Sequence, residues 1–240
     1  MRKLILSSLI LIFLSSGLSR GQAALLVLIF GDRVATENFH FSLKLGATYS
    51  VIHGYEEGRN GWGFNFGLVN NIRLTDNLSL VPEFIPYAPR SIRDVPVLTT
   101  GNPNLDELLV NPNSTDRKLK YIDIPLMLRV HLTDRFSVSA GPQISFLTGG
   151  QDTYESSPID GAILTTELDI TSELRRLDAG AVIDLQYVLV QPKGGKGINV
   201  YVRYGKGFLD LVKENSGDPY TTSLIQFGAT FPFVEKPDTD

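Results

Sequence analysis

Eight charged residues fall where extended segments would turn them to one face: Lys44, Arg73, Arg129 and Arg203 against Glu83, Asp123, Asp178 and Asp184. Four cations balance four anions, which suits a narrow enclosed space, because a charge removed from water is tolerated only when paired. Asp123 and Arg129 offer either a gating ion pair or a structural role in which they satisfy each other or the neighbouring strands, and the structural reading is the simpler. Nucleophilic chemistry has little to draw on. With no cysteine, thiolate nucleophiles and thiolate metal sites are excluded. Of His40, His53 and His131, only His53 lies in a long connection, near Ser50 and Glu56, and a solvated loop histidine explains it as well as a catalytic base does. The acidic residues Asp94, Asp106, Glu107, Asp152, Glu155 and Asp160 lack the spacing of a calcium loop. Gly194-Gly195-Lys196 lacks that of a phosphate-binding loop. No catalytic residue, metal or cofactor is expected.

The elements that must position the charges are short runs of alternating apolar and polar residues. From Phe39 to Tyr49 every odd position is apolar, while His40, Ser42, Lys44, Gly46 and Thr48 fill the even ones. Side chains of a strand point alternately to opposite faces, so this run is a two-faced strand. The pattern recurs eight times, clearest where Ile122, Ile124, Leu126, Leu128, Val130 and Leu132 oppose Tyr121, Asp123, Met127, Arg129 and His131. Connections alternate in length: short at 75–77, 133–135 and 190–197, long at about 51–61, 88–118, 149–171 and 209–221. An up-and-down meander therefore carries its short turns and both termini at one end and its long loops at the other. The connection 88–118, rich in Pro, Asn, Asp and Thr and without periodicity, is expected to be exposed and mobile.

Alternation alone allows a water-soluble barrel, apolar inside, or a membrane barrel, apolar outside. Three features favour the second. The polar faces are rich in Gly, Ser, Asn and Thr rather than Lys and Glu, their charges balance, and aromatic residues gather at the strand ends. Phe41, Phe136, Tyr187 and Phe231 lie near the turn end, and Tyr49, Trp62, Phe146 and Phe208 near the loop end, as expected of rings at two bilayer interfaces. The prediction is an all-β, eight-stranded, antiparallel up-and-down transmembrane barrel with short periplasmic turns and long extracellular loops. Eight strands leave an interior that side chains fill, here including Tyr87, Tyr121 and Tyr201, which disfavours a wide pore.

Met1-Arg2-Lys3 followed by the apolar run Leu4 to Leu14 reads as a secretory signal, 1–23, although the second apolar run Leu25 to Phe30 leaves an uncleaved anchor open. A periplasmic segment 24–38, a barrel 39–234 and a polar tail 235–240 complete the division. A net charge of −4 gives no reason to propose nucleic-acid binding.

The segment Leu119-Lys-Tyr-Ile-Asp-Ile-Pro-Leu-Met-Leu-Arg, to Arg129, and Val138-Ser-Ala-Gly-Pro-Gln, to Gln143, resemble the PorT-family outer-membrane β-barrel domain common in Bacteroidetes. The resemblance implies a bacterial outer-membrane location and an eight-stranded barrel, and little about activity. Three functions remain open. The first is a non-enzymatic anchor in outer-membrane lipid whose loops 88–118 and 149–171 contact an envelope or extracellular protein. The second is a narrow channel for small solutes through the charged lumen, and the third an outer-leaflet lipid-modifying enzyme.

Overall fold

The computed structural model describes residues 39–54, 59–95, 114–156, 164–193, 196–213 and 218–232. The expected signal, the segment 24–38, the tail 235–240, Glu56 and the centres of the two longest loops lie outside these residues. Nine strands form: β1 (Phe39–Ile52), β2 (Arg59–Arg73), β3 (Leu78–Arg93), β4 (Ser114–His131), β5 (Phe136–Ser156), β6 (Leu164–Asp169), β7 (Leu177–Lys193), β8 (Lys196–Gly207) and β9 (Thr222–Pro232). All pairings are antiparallel, and β1–β9 and β4–β5 close the sheet into a barrel of eight strands. The ninth, β6, pairs only with the outer part of β5. No helix among the described residues is long and apolar enough to cross a membrane; the strands do so.

The turns follow from their residues. At 133–135 the Thr133 hydroxyl accepts from the backbone N–H groups of Arg135 and Phe136, at 3.2 and 3.0 Å, a side-chain substitute for a ladder bond. Strand faces then sort by solvent. Trp62, Phe64, Leu128, Ile183, Val202 and Phe227 are exposed on the outside, while Lys44, Asn65, Ser139 and Asp184 are buried inside. On β4 the outward face is apolar from Ile122 to Leu132. Ten steps of about 3.3 Å, tilted by about 40°, give the height of about 25 Å expected of a bilayer-facing band. Lys120 and Lys118 face outward just beyond it. Tyr49 meets Trp62 at 4.9 Å between ring centroids at the loop end, and Phe136 meets Tyr187 at 4.7 Å at the turn end. Leu128→Arg, near the middle of the band, is expected to cost about 2–4 kcal/mol in urea unfolding from lipid vesicles. A neutral result would mean that this face does not meet hydrocarbon.

Two bulges reverse the inside and outside of a strand partway along it. Phe66 pairs with Tyr87 and Leu68 with Phe84, so β3 carries an extra residue around Pro86, which cannot donate to the ladder. Beyond it Ala88, Arg90 and Ile92 point in, and Tyr87, expected in the lumen, is exposed and stacked on Phe66 at 6.1 Å. Lys120 pairs with Gly149 and Tyr121 with Leu147, so Thr148 is the extra residue of β5, and Asp152 and Tyr154 turn inward after it. The stretches 88–93 and 114–118, expected within an exposed loop, instead continue β3 and β4, and Arg90, Ile92, Thr115 and Arg117 on them are buried, as is Val95 just beyond β3.

Candidate functional site

The lumen is built in tiers. In the middle tier Arg203 of β8 forks onto Glu83 of β3, Nη1 to Oε2 and Nη2 to Oε1 both at 2.8 Å. The same guanidinium donates to Asp184 Oδ2 of β7 through Nη2 at 2.9 Å and Nε at 3.1 Å. Lys44 of β1 reaches Glu83 Oε2 at 3.1 Å and Asp184 Oδ2 at 3.8 Å. Its ammonium stands 4.0 Å from the centre of the Tyr201 ring. Four strands thus meet in one neutral, buried cluster: none of the four charged residues is more than 4% exposed. Such a planar fork both holds and orients a carboxylate.

Towards the loop end, Arg90 of β3 donates to Asp123 Oδ1 of β4 and Asp178 Oδ2 of β7, each at 3.1 Å, and to Ser145 Oγ of β5 at 2.9 Å. Its guanidinium lies 3.9 Å from the Tyr121 ring centre. Thr222 of β9 and the backbone N–H of Leu209 also donate to Asp178. Further out, Arg117 and Asp152 form a two-pronged pair at 2.8 and 2.7 Å. Beside these charges an apolar cap fills the mouth, with Ile52, Ile92, Leu119, Leu147, Ile170, Leu174 and Leu211 all buried. Leu174 bridges to Val212, and Arg175 N–H donates to Leu211 carbonyl at 2.7 Å, tying two connections together across the opening. The arrangement can brace the barrel wall and exclude water; it presents no nucleophile to a substrate.

Of the eight charges read from the sequence, Lys44, Glu83, Asp184 and Arg203 meet in one tier and Asp123 and Asp178 in the next. Arg73 does not join them. It stands at the turn end of β2 and pairs with Asp76 of its own turn at 3.1 Å. Asp123 and Arg129 do not meet each other, for a geometric reason, and are satisfied instead by the neighbouring strands. Six residues apart on one face of β4, they are separated by about 20 Å, where attraction falls to about 1 kcal/mol even at an effective dielectric of 20. Asp123 binds Arg90, and Arg129 donates to Ser139 Oγ at 3.0 Å. Arg90 and Asp152 escaped the sequence reading because the bulges hide them, and Arg117 because the outward face of β4 turns polar at Lys118 and Lys120. Their signal was an arginine or aspartate spaced evenly among apolar residues in what looked like loop.

His53 meets neither Ser50 nor a described carboxylate; its Nε2 lies 2.8 Å from Ser223 Oγ, which is also 3.4 Å from Tyr204 Oη. Asp152 of the acidic set is taken by Arg117, Asp94 pairs with Arg59, and no metal-binding cluster occurs among the described residues.

A closed eight-stranded antiparallel barrel, belted by lipid-facing apolar and aromatic residues and filled with paired charges, is an outer-membrane barrel protein. The family model for the outer membrane protein beta-barrel domain matches residues 31–213; the chain belongs to that family and resides in the bacterial outer membrane. No relative matches among curated proteins. Similar solved structures include Ail of Yersinia pestis, at 13% identity over 82% of this chain and 99% of that one, TM-score 0.39. Another is Neisserial surface protein A, at 12% identity over 80% and 96%, TM-score 0.43. A third is AlkL in lipid bilayers, at 12% identity over 85% and 94%, TM-score 0.43.

Proposed function

We propose that this protein is a non-enzymatic membrane anchor, whose barrel holds in place a loop surface that contacts a protein of the envelope or the cell exterior. The observation that carries the reading is the filled lumen. The tier of Lys44, Glu83, Asp184 and Arg203 and the tier of Arg90, Asp123 and Asp178 lie in series beneath an apolar cap, all of them buried. A solute would have to separate bidentate ion pairs out of contact with water, at a cost of several kcal/mol. That weighs against the narrow channel. The outer-leaflet enzyme has less support still, since no described carboxylate orients His53 against Ser223. On this reading residues 1–23 direct export and are removed, and the parts of 88–118 and 149–171 that lie beyond strands β3 to β6 supply the contact surface. Kinship to the PorT family rests on Tyr121-Ile-Asp-Ile-Pro-Leu126 and Ala140-Gly-Pro142, and adds no activity.

A photo-reactive amino acid at Asp106, in the full-length protein on intact cells, tests the reading. A discrete protein adduct of reproducible mass is expected. Adducts to lipid alone, or none, would remove the loop-contact function.

A further inference from the structure

Among the described residues, four of the five buried lumen cations, Lys44, Arg90, Arg117 and Arg203, pair with carboxylates. The fifth, Arg129, is 6% exposed, has no ion pair within 4.0 Å among the described residues and donates to Ser139; Asp184 and Glu83 attract it only from further away. The charges do not cancel locally. The middle tier is neutral, Arg90 with Asp123 and Asp178 leaves one negative charge towards the loop end, and Arg129 is one positive charge in excess at the turn end. A buried cation without a counterion is unfavourable, and an anion relieves it.

Space for one exists. Arg129 lines a cavity of about 160 Å³ at the turn end, together with Ser42, Asn71, His131, Ser137 and Asn199. Asn71 Oδ1 and Asn199 Oδ1 are buried without a hydrogen-bond partner. Turning either amide over leaves its shape unchanged and offers N–H groups instead, so the guanidinium, two amides and two hydroxyls make a set of donors. The one carboxylate on the cavity wall, Asp134, is exposed on the turn. We propose that this vestibule binds a small oxyanion, a phosphate or carboxylate group, through Arg129. Its guanidinium would take two oxygens side by side, the geometry Arg203 uses for Glu83 in the middle tier.

Calorimetric titration of inorganic phosphate, and separately of acetate, into the folded full-length protein in detergent tests this. Saturable binding of at least one anion is expected, weakened by about tenfold or more in Arg129→Gln. Asn199→Asp, which supplies a carboxylate inside the same cavity, is expected to abolish binding and raise the temperature at which the folded gel band is lost. Lys120→Gln, at the opposite end, is expected to bind as wild type does. Should Arg129→Gln fail to fold, Asn199→Asp carries the test. Saturation by neither anion in the wild type, or undiminished binding in Asn199→Asp, would overturn the proposal.

Discussion

Replacing Glu83 by Gln is expected to destabilise the folded barrel by about 3–5 kcal/mol, the cost of removing one partner from a buried ion pair. Glu83 accepts from both Arg203 and Lys44, and its loss leaves two cations facing Asp184 alone. Trp62, the single tryptophan, is outward and 58% exposed beside the Tyr49 ring, so its fluorescence reports whether it lies in lipid during urea titration. The double change Glu83→Gln with Lys44→Met is expected to recover part of the loss, because the unbalanced ammonium goes with its partner. This non-additivity separates an electrostatic account from simple loss of packing. A cost under about 0.5 kcal/mol for Glu83→Gln, the level of an exposed pair, would mean that water reaches the tier.

Gly228→Ala is expected to cost about 3 kcal/mol or more, or to prevent closure altogether, since overpacking that side chains cannot relieve must move backbone. Gly228 of β9 pairs with Gly46 of β1 at the seam that closes the barrel. A Cβ on Gly228 would stand 2.0 Å from the Leu45 carbonyl oxygen and 2.5 Å from Gly46 Cα. One on Gly46 would meet Tyr201 Oη at 2.2 Å. Gly46 makes room for the tyrosine ring that supports Lys44, and Gly228 for the backbone of β1 beside it, which links the seam to the ion cluster. Gly149→Ala is the control. Its Cβ would meet nothing closer than Lys120 Cδ at 3.9 Å, and wild-type stability is expected. The readout is the fraction of protein that migrates as a compact band without heating and shifts after boiling. Equal fractions for Gly228→Ala and wild type would contradict the seam geometry.

Strand identity and facing were legible wherever lipid lies outside. From Phe41 to Tyr49, Ile122 to Leu132 and Phe136 to Phe146, period-two alternation assigns each side chain to its observed face. Beyond the band the outside solvent becomes water and the alternation inverts. On β4, Lys118 and Lys120 face out while Leu119 and Tyr121 face in, so a reader expecting apolar-outward strands sees loop. The extra residues at Pro86 and Thr148 sit near this boundary and shift the parity of charged positions as well. That is why Arg90 and Asp152 were missed, with Arg117 hidden by the inverted alternation of β4, while Lys44, Glu83, Asp184 and Arg203, all below the bulges, were found. Arg73 misled for the opposite reason: parity placed it inside, but parity does not say where the lumen ends. Which cation meets which anion across the barrel depends on stagger between non-adjacent strands, and no local pattern in the chain carries that.

The account rests on a lumen sealed by two buried ionic tiers and a cap, and single-channel recording tests it most directly. Purified, folded full-length protein in a planar bilayer is predicted to show no discrete conductance steps in concentrated salt. Reproducible unitary steps from the wild type, altered by Glu83→Gln or Arg203→Gln, would show that ions pass the tier and would contradict the sealed-lumen account.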